Sequence, residues 1–341
     1  MNSNGSDGER IELAHGAGGR AMQRLVAGLF VKEFGNAFLA RGDDGAVLPA
    51  ASGRIVLATD AHVVSPIFFP GGDIGSLAVN GTINDVAVMG ARPAYLTASF
   101  ILEEGLLLED LKRVVRSMAQ ASRSAGVPVV TGDTKVVERG KADRIFISTS
   151  CIGVLRDGVD PGGARARPGD AVLVSGPIGD HGVAILSVRE HLSFDAPVQS
   201  DTAALHGLVD ALLAAVDDVH VMRDPTRGGL AATLNEIAHQ SGVGIALDEA
   251  GIPVRPVVAA ACELLGLDPL DVACEGRLLA IVPSSQSTQA LAALRGHPLG
   301  ADAAIIGEVV ADANRFVRMR TRLGGQRMVD WLDGEALPRI C

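Results

Sequence analysis

The segment "GGDIGSLAVNGTINDVAVMGA" (Gly71–Ala91), followed at once by "PAYLTASFIL" (Pro93–Leu102), sets an apolar, glycine-studded helical pattern against an apolar strand. The helix is expected to break near Asn84–Asp85. Upstream, "RIVLATD" (Arg54–Asp60) reads as a short buried strand, and "HGAGGRAMQRLVAGLFVKEF" (His15–Phe34) as a glycine loop entering a helix with Leu25, Leu29 and Phe30 on one side. Downstream, "LEDLKRVVRSMAQASRSAG" is an amphipathic helix ended by Gly126, with an ordinary solvated face. "VPVVTGDTKVV" and "RIFISTSCIGVL" continue as strands.

The Gly-, Pro- and charge-rich "RDGVDPGGARARPGD" (Arg156–Asp170) is the best linker candidate, which places a boundary near residue 156. Beyond it, strands "AVLVSG", "GIALDE", "RLLAIVP", "AAIIGEVV" and "RFVRMRT" alternate with helices near 181–190, 202–215, from Gly228, and over "PVVAAACELLG". The fold class expected is α/β or α+β in two domains. Residues 1–10 form a polar leader, 11–156 and 157–331 the two domains, and 332–341 a mobile tail.

With 341 residues, 48% of them hydrophobic, and a formal net charge of −10, the chain is long enough for two cores and lacks the basic stripe that nucleic acid or an anionic membrane requires. "MNSNGSDGER" is no signal segment and no apolar run reaches spanning length, so the cytoplasm is expected. Cys151, Cys262 and Cys274 sit in apolar stretches, without CxxC spacing; Cys341, in "LPRIC", has no core around it in the sequence.

Small residues before a helix let backbone N–H groups approach an anion, so "HGAGG" is either a phosphate loop or a flexible turn. Asp43, Asp44, Asp60, Asp73, Asp85 and Asp133 fall at ends of apolar segments or beside glycines, positions expected to gather at one sheet edge. Hard carboxylate oxygens without histidines suit Mg²⁺ carrying nucleotide phosphates better than zinc; singly, each could cap a helix.

The motifs "HGAGG", "DDGAV", "TDAHVVSPIFFPGGDIG", "NGTINDVAVMGA", "TGDTKVV", "GPIGDHG", "RDPTRGGL", "EGRLLAI" and "PRIC" together closely resemble the HypE carbamoyl dehydratases of [NiFe] hydrogenase maturation, over nearly the whole chain from His15 to Cys341. Their wider superfamily includes enzymes resembling aminoimidazole ribonucleotide synthetase, selenophosphate synthetase and thiamine monophosphate kinase. The resemblance implies an N-terminal α/β domain whose sheet pairs with a twin in a dimeric barrel-like core, and a C-terminal α/β domain over the nucleotide cleft. It implies that Asp44, Asp60, Asp85 and Asp133 hold Mg-ATP, that Gly18 and Gly19 close over the phosphates, and that Asp224 is a further metal position. Asn84, Thr131 and Gly132 join the ATP site.

The implied chemistry is loading of a carbamoyl group onto the Cys341 thiol by a HypF-like partner, ATP-dependent dehydration to the S-bound nitrile, and cyano transfer to a HypC–HypD-like complex. Glu275 and Lys135 match the positions for proton removal. Alternatively, Lys135 contacts phosphate and Glu275 forms a surface ion pair with Arg277. His15, His62 and His181 are proton shuttles or structural groups. Pro338 would keep the tail extended, and Arg339 and the α-carboxylate act oppositely on the thiol. A small-molecule kinase or synthetase, and a non-catalytic thiol carrier, are the competing functions.

Overall fold

The computed structural model describes residues 8–192, 198–332 and 339–341. Most of the expected leader and tail, including Pro338, lies outside the described residues. A 3₁₀ turn at Leu13–Gly16 precedes α1 (Arg20–Leu25), which continues through a π-helical stretch (Val26–Val31) into α2 (Lys32–Phe34). Leu25, Leu29 and Phe30 are its buried residues, on the expected side.

The first sheet has the order β1-β6-β4-β5, from β1 (Ile55–His62), then, after a two-residue hairpin of β2 (Phe68–Phe69) and β3 (Gly72–Asp73) and helix α3 (Ile74–Val88), from β4 (Ala91–Glu103), and, past α4 (Leu108–Ala125), from β5 (Val129–Val137) and β6 (Ile145–Leu155). The β4–β5 pair is parallel and so needs a crossover, which α4 supplies; the other pairs are antiparallel. Helix α4 buries Leu111, Val114, Val115, Met118 and Ala119 at helical spacing and stops at Gly126, whose φ of 69° is the left-handed conformation glycine adopts most readily.

Helix α3 is continuous, contrary to the expected break. Asn84 projects sideways to bond Ala203 O at 3.0 Å and Leu205 N at 2.7 Å, so its amide does not compete with the helix backbone. At its start, the Asp73 carboxylate accepts from Gly75 N and Ser76 N while Ser76 Oγ accepts from Asp73 N. Asp73 is thus a cap. Strand β1 is not buried as expected: α3 and α4 cover one face of this sheet, whereas Ile55 (60% exposed) and Leu57 (67%) lie on the other, which is open among the described residues. That open face also carries a row of hydroxyls, Thr59–Ser150–Thr97–Thr131, aligned by register across all four strands.

Residues 156–169 contain no helix or strand. After them come β7 (Asp170–Val174), α5 (Asp180–Arg189), α6 (His206–Ala215), β8 (Val221–Arg223), α7 (Gly229–Ser241), β9 (Gly244–Asp248), α8 (Pro256–Leu265), β10 (Leu279–Pro283), α9 (Ser287–Arg295), β11 (Ala304–Val310), β12 (Val317–Arg320) and β13 (Gln326–Val329). They build a seven-stranded sheet of order β13-β12-β9-β11-β7-β10-β8. Its middle strands β7 and β10 are apolar at successive positions because both faces are covered, one by a core including Leu230 and Leu234 of α7, the other by Leu208, Leu212 and Leu294 of α6 and α9. Helix α5 lies between the two halves: Ile185 joins the core of the first sheet, while Val183 and Ala184 pack on Val258 and Ala261 of α8. Among the described residues no helix is long and apolar enough to cross a membrane.

Candidate active site

Where the C-terminal end of β1, the middle of α3 and the loops after β8 and before β10 meet, a small cavity of about 40 Å³ is lined by Asp60, His62, Gly81, Asp85, Asp224, Arg227, Glu275 and Cys341 among others. Gly81 permits this approach: a Cβ there would stand 3.2 Å from His62 Nε2, 3.6 Å from Asp60 Oδ2 and 3.9 Å from Glu275 Oε2. Thr82, one residue on, bonds Thr149 across the sheet at 2.6 Å and fixes the helix to the strands below.

Four carboxyl groups, those of Asp60, Asp85, Asp224 and Glu275, share this space. Burial, with the nearby charges of Asp224 and Asp60, pushes Asp85 up to about 7; burial, with Asp60 adding, pushes Asp224 up to about 6. Glu275, only 3% exposed, is raised well above the usual carboxylate range by burial and then by Asp224, Asp201 and Asp60. Its Oε1 has no hydrogen-bond partner among the described residues. Such a cluster is short of positive charge, and hard oxygen donors in excess suit a hard cation. No three His, Cys, Asp or Glu side chains among the described residues are grouped so as to hold a metal by themselves.

Glu275 is positioned by a buried charge network. Its backbone N–H donates to Asp201 Oδ1 at 2.9 Å; Arg277 pairs with Asp201 at 3.3 Å and with Asp180 at 3.2 Å, and Arg255 closes on Asp180 at 3.1 Å. The alternative of a surface ion pair between Glu275 and Arg277 is therefore overturned: the glutamate is buried and the arginine is engaged behind it. Asp201, in the loop before α6, carried no signal in the sequence. Arg227 and Thr226 belong to "RDPTRGG", from which only Asp224 had been singled out.

The tripeptide Arg339–Cys341 enters the cavity from the cleft between the halves. Val63 N donates to Cys341 O and Ser65 N to Arg339 O, both at 3.2 Å, so the tripeptide extends β1 as an antiparallel partner. Ile340 is 3% exposed in the first core, a burial worth on the order of 2 kcal/mol. Docked here, the thiol is pushed up from its ordinary value by burial and then by Glu275. Arg339 does not assist its ionisation by contact, because its guanidinium pairs with Asp143 at 2.6 Å.

The structure brings Asp60, Asp85, Asp224, Glu275 and Cys341 together, with Asn84 directly behind through a 3.4 Å bond to Glu275 O. Asn84 thus ties α3 to the second half and does not face the cavity. The remaining candidates are elsewhere in the chain. Asp133 and Lys135 pair with each other at 3.2 Å on the exposed edge strand β5, and neither is among the residues lining the Cys341 cavity of the same chain. Thr131, Gly132 and Asp133 line a separate, mainly apolar cavity of about 230 Å³ under α1 and its π-helical continuation, with Met22, Phe30 and Phe100. Gly18, Gly19 and Asp44 are exposed. The aspartates do not gather at one sheet edge either. Asp60, Thr149, Ala98 and Gly132 are in register across all four strands, which puts Asp60 and Asp133 on opposite edges, three strand spacings or about 14 Å apart.

Residues 42–155 match the N-terminal domain, and residues 167–320 the C-terminal domain, of AIR synthase related proteins. The carbamoyl dehydratase HypE of Cupriavidus necator is 64% identical over 97% of this chain and 95% of its own. The chain belongs to the HypE family of carbamoyl dehydratases. A crystal structure of HypE in complex with ATP superposes with a TM-score of 0.93 at 51% identity, covering 96% of this chain and 99% of that one. HypE in a HypE–HypF complex matches with a TM-score of 0.80 at 48% identity, over 90% and 99%. In this HypE-family chain the Cys341 thiol and the Glu275 carboxyl line one cavity.

Proposed function

We propose that this enzyme dehydrates its own S-carbamoylated Cys341 at the expense of ATP, and that Glu275 is the base. The carbamoyl oxygen attacks the γ-phosphorus, ADP leaves, and an amide proton passes to Glu275. The resulting iminophosphate then loses phosphate with cleavage of its C–O bond as the remaining N–H proton departs, leaving R–S–C≡N. The balance is R–S–C(O)NH₂ + ATP giving R–S–CN + ADP + phosphate. One observation carries this reading: the Cys341 thiol lies in a carboxyl-lined cavity against the side chain of buried Glu275, whose Oε1 has no hydrogen-bond partner among the described residues. A positioned base contributes roughly 10² to 10⁴ in rate.

Asp60, Asp85 and Asp224 would hold Mg²⁺, whose charge offsets that of the transferring phosphoryl group. The apolar cavity beside Thr131–Asp133 is assigned to the nucleobase, supported by its Phe30, Phe100 and Met22 walls. Residues 11–156 form the nucleotide and dimerisation domain, 157–331 the covering domain. Two copies pair through the open face of the first sheet, whose exposed Ile55 and Leu57 are unfavourable in water. A HypF-like carbamoyltransferase loads the thiol, and a HypC–HypD-like complex takes the cyano group.

The test is mass spectrometry of the C-terminal peptide after incubation with the loading partner, carbamoyl phosphate and ATP. A carbamoyl mass that becomes a cyano mass only with hydrolysable ATP is expected, and Glu275→Gln is expected to load but to dehydrate at least 10²-fold more slowly. An adduct that never loses water would make the protein a carrier. Phosphate transfer to a free metabolite without any adduct would make it a kinase.

A further inference from the structure

The three carbonyls of Arg339–Cys341 are taken up in alternation. Those of Arg339 and Cys341 face β1's continuation and accept from Ser65 N and Val63 N, so the Ile340 carbonyl, one residue out of phase, faces the other way. It meets His181 Nε2 at 2.7 Å. A carbonyl only accepts, so Nε2 carries the hydrogen, and Nδ1 accepts from the Ser200 hydroxyl at 2.8 Å. Two helical turns along the same face of α5, Arg189 donates both to Ser65 O and to Arg339 O, bridging the strand end and the tripeptide. Ile185 lies between them and belongs to the same core as Ile340.

We propose that His181 and Arg189 are positioning residues: one face of α5 is a clasp that holds the tripeptide in a single register and thereby delivers the Cys341 sulfur to Glu275. This rests on the dehydratase reading above. Neither side chain lines the cavity, so neither is a catalytic residue. Both hold backbone carbonyls, so the clasp recognises extended chain and register, and it acts equally on a free or carbamoylated thiol. Burial keeps the His181 imidazole neutral, with its value lowered to about 4, so the Nε2–H donor persists at physiological pH. Loading needs the tripeptide out of the cleft; dehydration needs it in. The clasp strength therefore sets the division between the two steps, and weakening it moves them in opposite directions.

The test separates holding from chemistry. Cys341 alkylation by iodoacetamide is followed by peptide mass spectrometry without ATP, with buried Cys151, Cys262 and Cys274 as internal controls. His181→Leu and Arg189→Met are each expected to speed Cys341 alkylation about tenfold while the control thiols stay unmodified, because each loses a hydrogen bond made only in the docked state. Single-turnover dehydration of the loaded protein is expected to slow by a similar factor, and loading by the carbamoyltransferase to hold steady or quicken. His181→Gln, which keeps an N–H donor at comparable reach, is expected to recover most of the loss. Unchanged Cys341 alkylation in both His181→Leu and Arg189→Met would overturn the clasp; so would labelling of the control thiols in step with Cys341, which would signify general loosening. If wild-type protein alkylates slowly and the variants fast, yet no variant nor wild type ever converts carbamoyl to cyano mass, the clasp stands and the dehydratase reading falls.

Discussion

At the scale of single residues, the acid cavity is a place where function opposes stability. A carboxyl group whose pKa is higher folded than unfolded binds its proton more tightly in the native state. Its stabilising contribution is complete below the unfolded value and disappears as pH climbs to the folded one. For Asp85 that window runs from about 3.8 to about 7, and Asp224 loses its share by about 6. The ligand-free protein should therefore become less stable between pH 5 and pH 7.5. Asp85→Asn, which keeps shape and removes the charge, should be the more stable protein at pH 7.5, by on the order of 2 kcal/mol, with a flatter pH profile and no dehydratase activity. Thermal unfolding at pH 5 and pH 7.5 checks this; a destabilised Asp85→Asn at pH 7.5 would mean that the aspartate is already compensated by a partner. Asp85 stood out in the sequence through its motif. Its raised pKa did not, because that depends on burial in the assembled cavity and then on Asp224 and Asp60, which come from the loop after β8 and from β1.

At the scale of elements, α3 carries the site because its middle is built of small residues. "NGTIND" was legible as part of a helix, yet the break expected at Asn84–Asp85 does not occur, since the Asn84 amide finds partners in Ala203 and Leu205 that lie more than a hundred positions away in sequence. The same distance hid the purpose of Gly81. Alanine there would gain up to about 1 kcal/mol in helix propensity, while its methyl would stand 3.2 Å from His62 Nε2 and intrude on the space between Asp60 and Glu275. Gly81→Ala is thus expected to unfold at the same temperature as wild type or slightly above it, and to dehydrate at least tenfold more slowly. Melting curves beside single-turnover dehydration decide this. Full activity would show that the cavity is roomier in solution than its walls suggest.

At the scale of the whole molecule, the two-domain order and most strands were legible because apolar segments and Gly-rich breaks are local signals. Which aspartates share a site was not, because strand order is a property of the sheet. Asp133 looked equivalent to Asp60, but β5 and β1 are opposite edges, and α3 closes the route between them on the covered face through the Thr82–Thr149 contact. If nucleobase and phosphates use both regions, the proposed twin across the open sheet face, where exposed Asp133, Ser99 and Ser148 lie in register, is the expected source of the second. Asp133→Asn and Glu275→Gln, each inactive alone, then complement. Random mixing of the two chains gives half heterodimers, each with one intact and one doubly defective site, so about a quarter of wild-type activity should return in the mixture and about half in the purified heterodimer. The mixture should be refolded or co-expressed with distinct tags, the doubly tagged dimer purified, and its dehydration measured against each parent. A site contained within one chain leaves every protomer of that heterodimer with one lesion, so a purified heterodimer as inactive as its parents would place ATP wholly within a protomer and remove the twin from the chemistry.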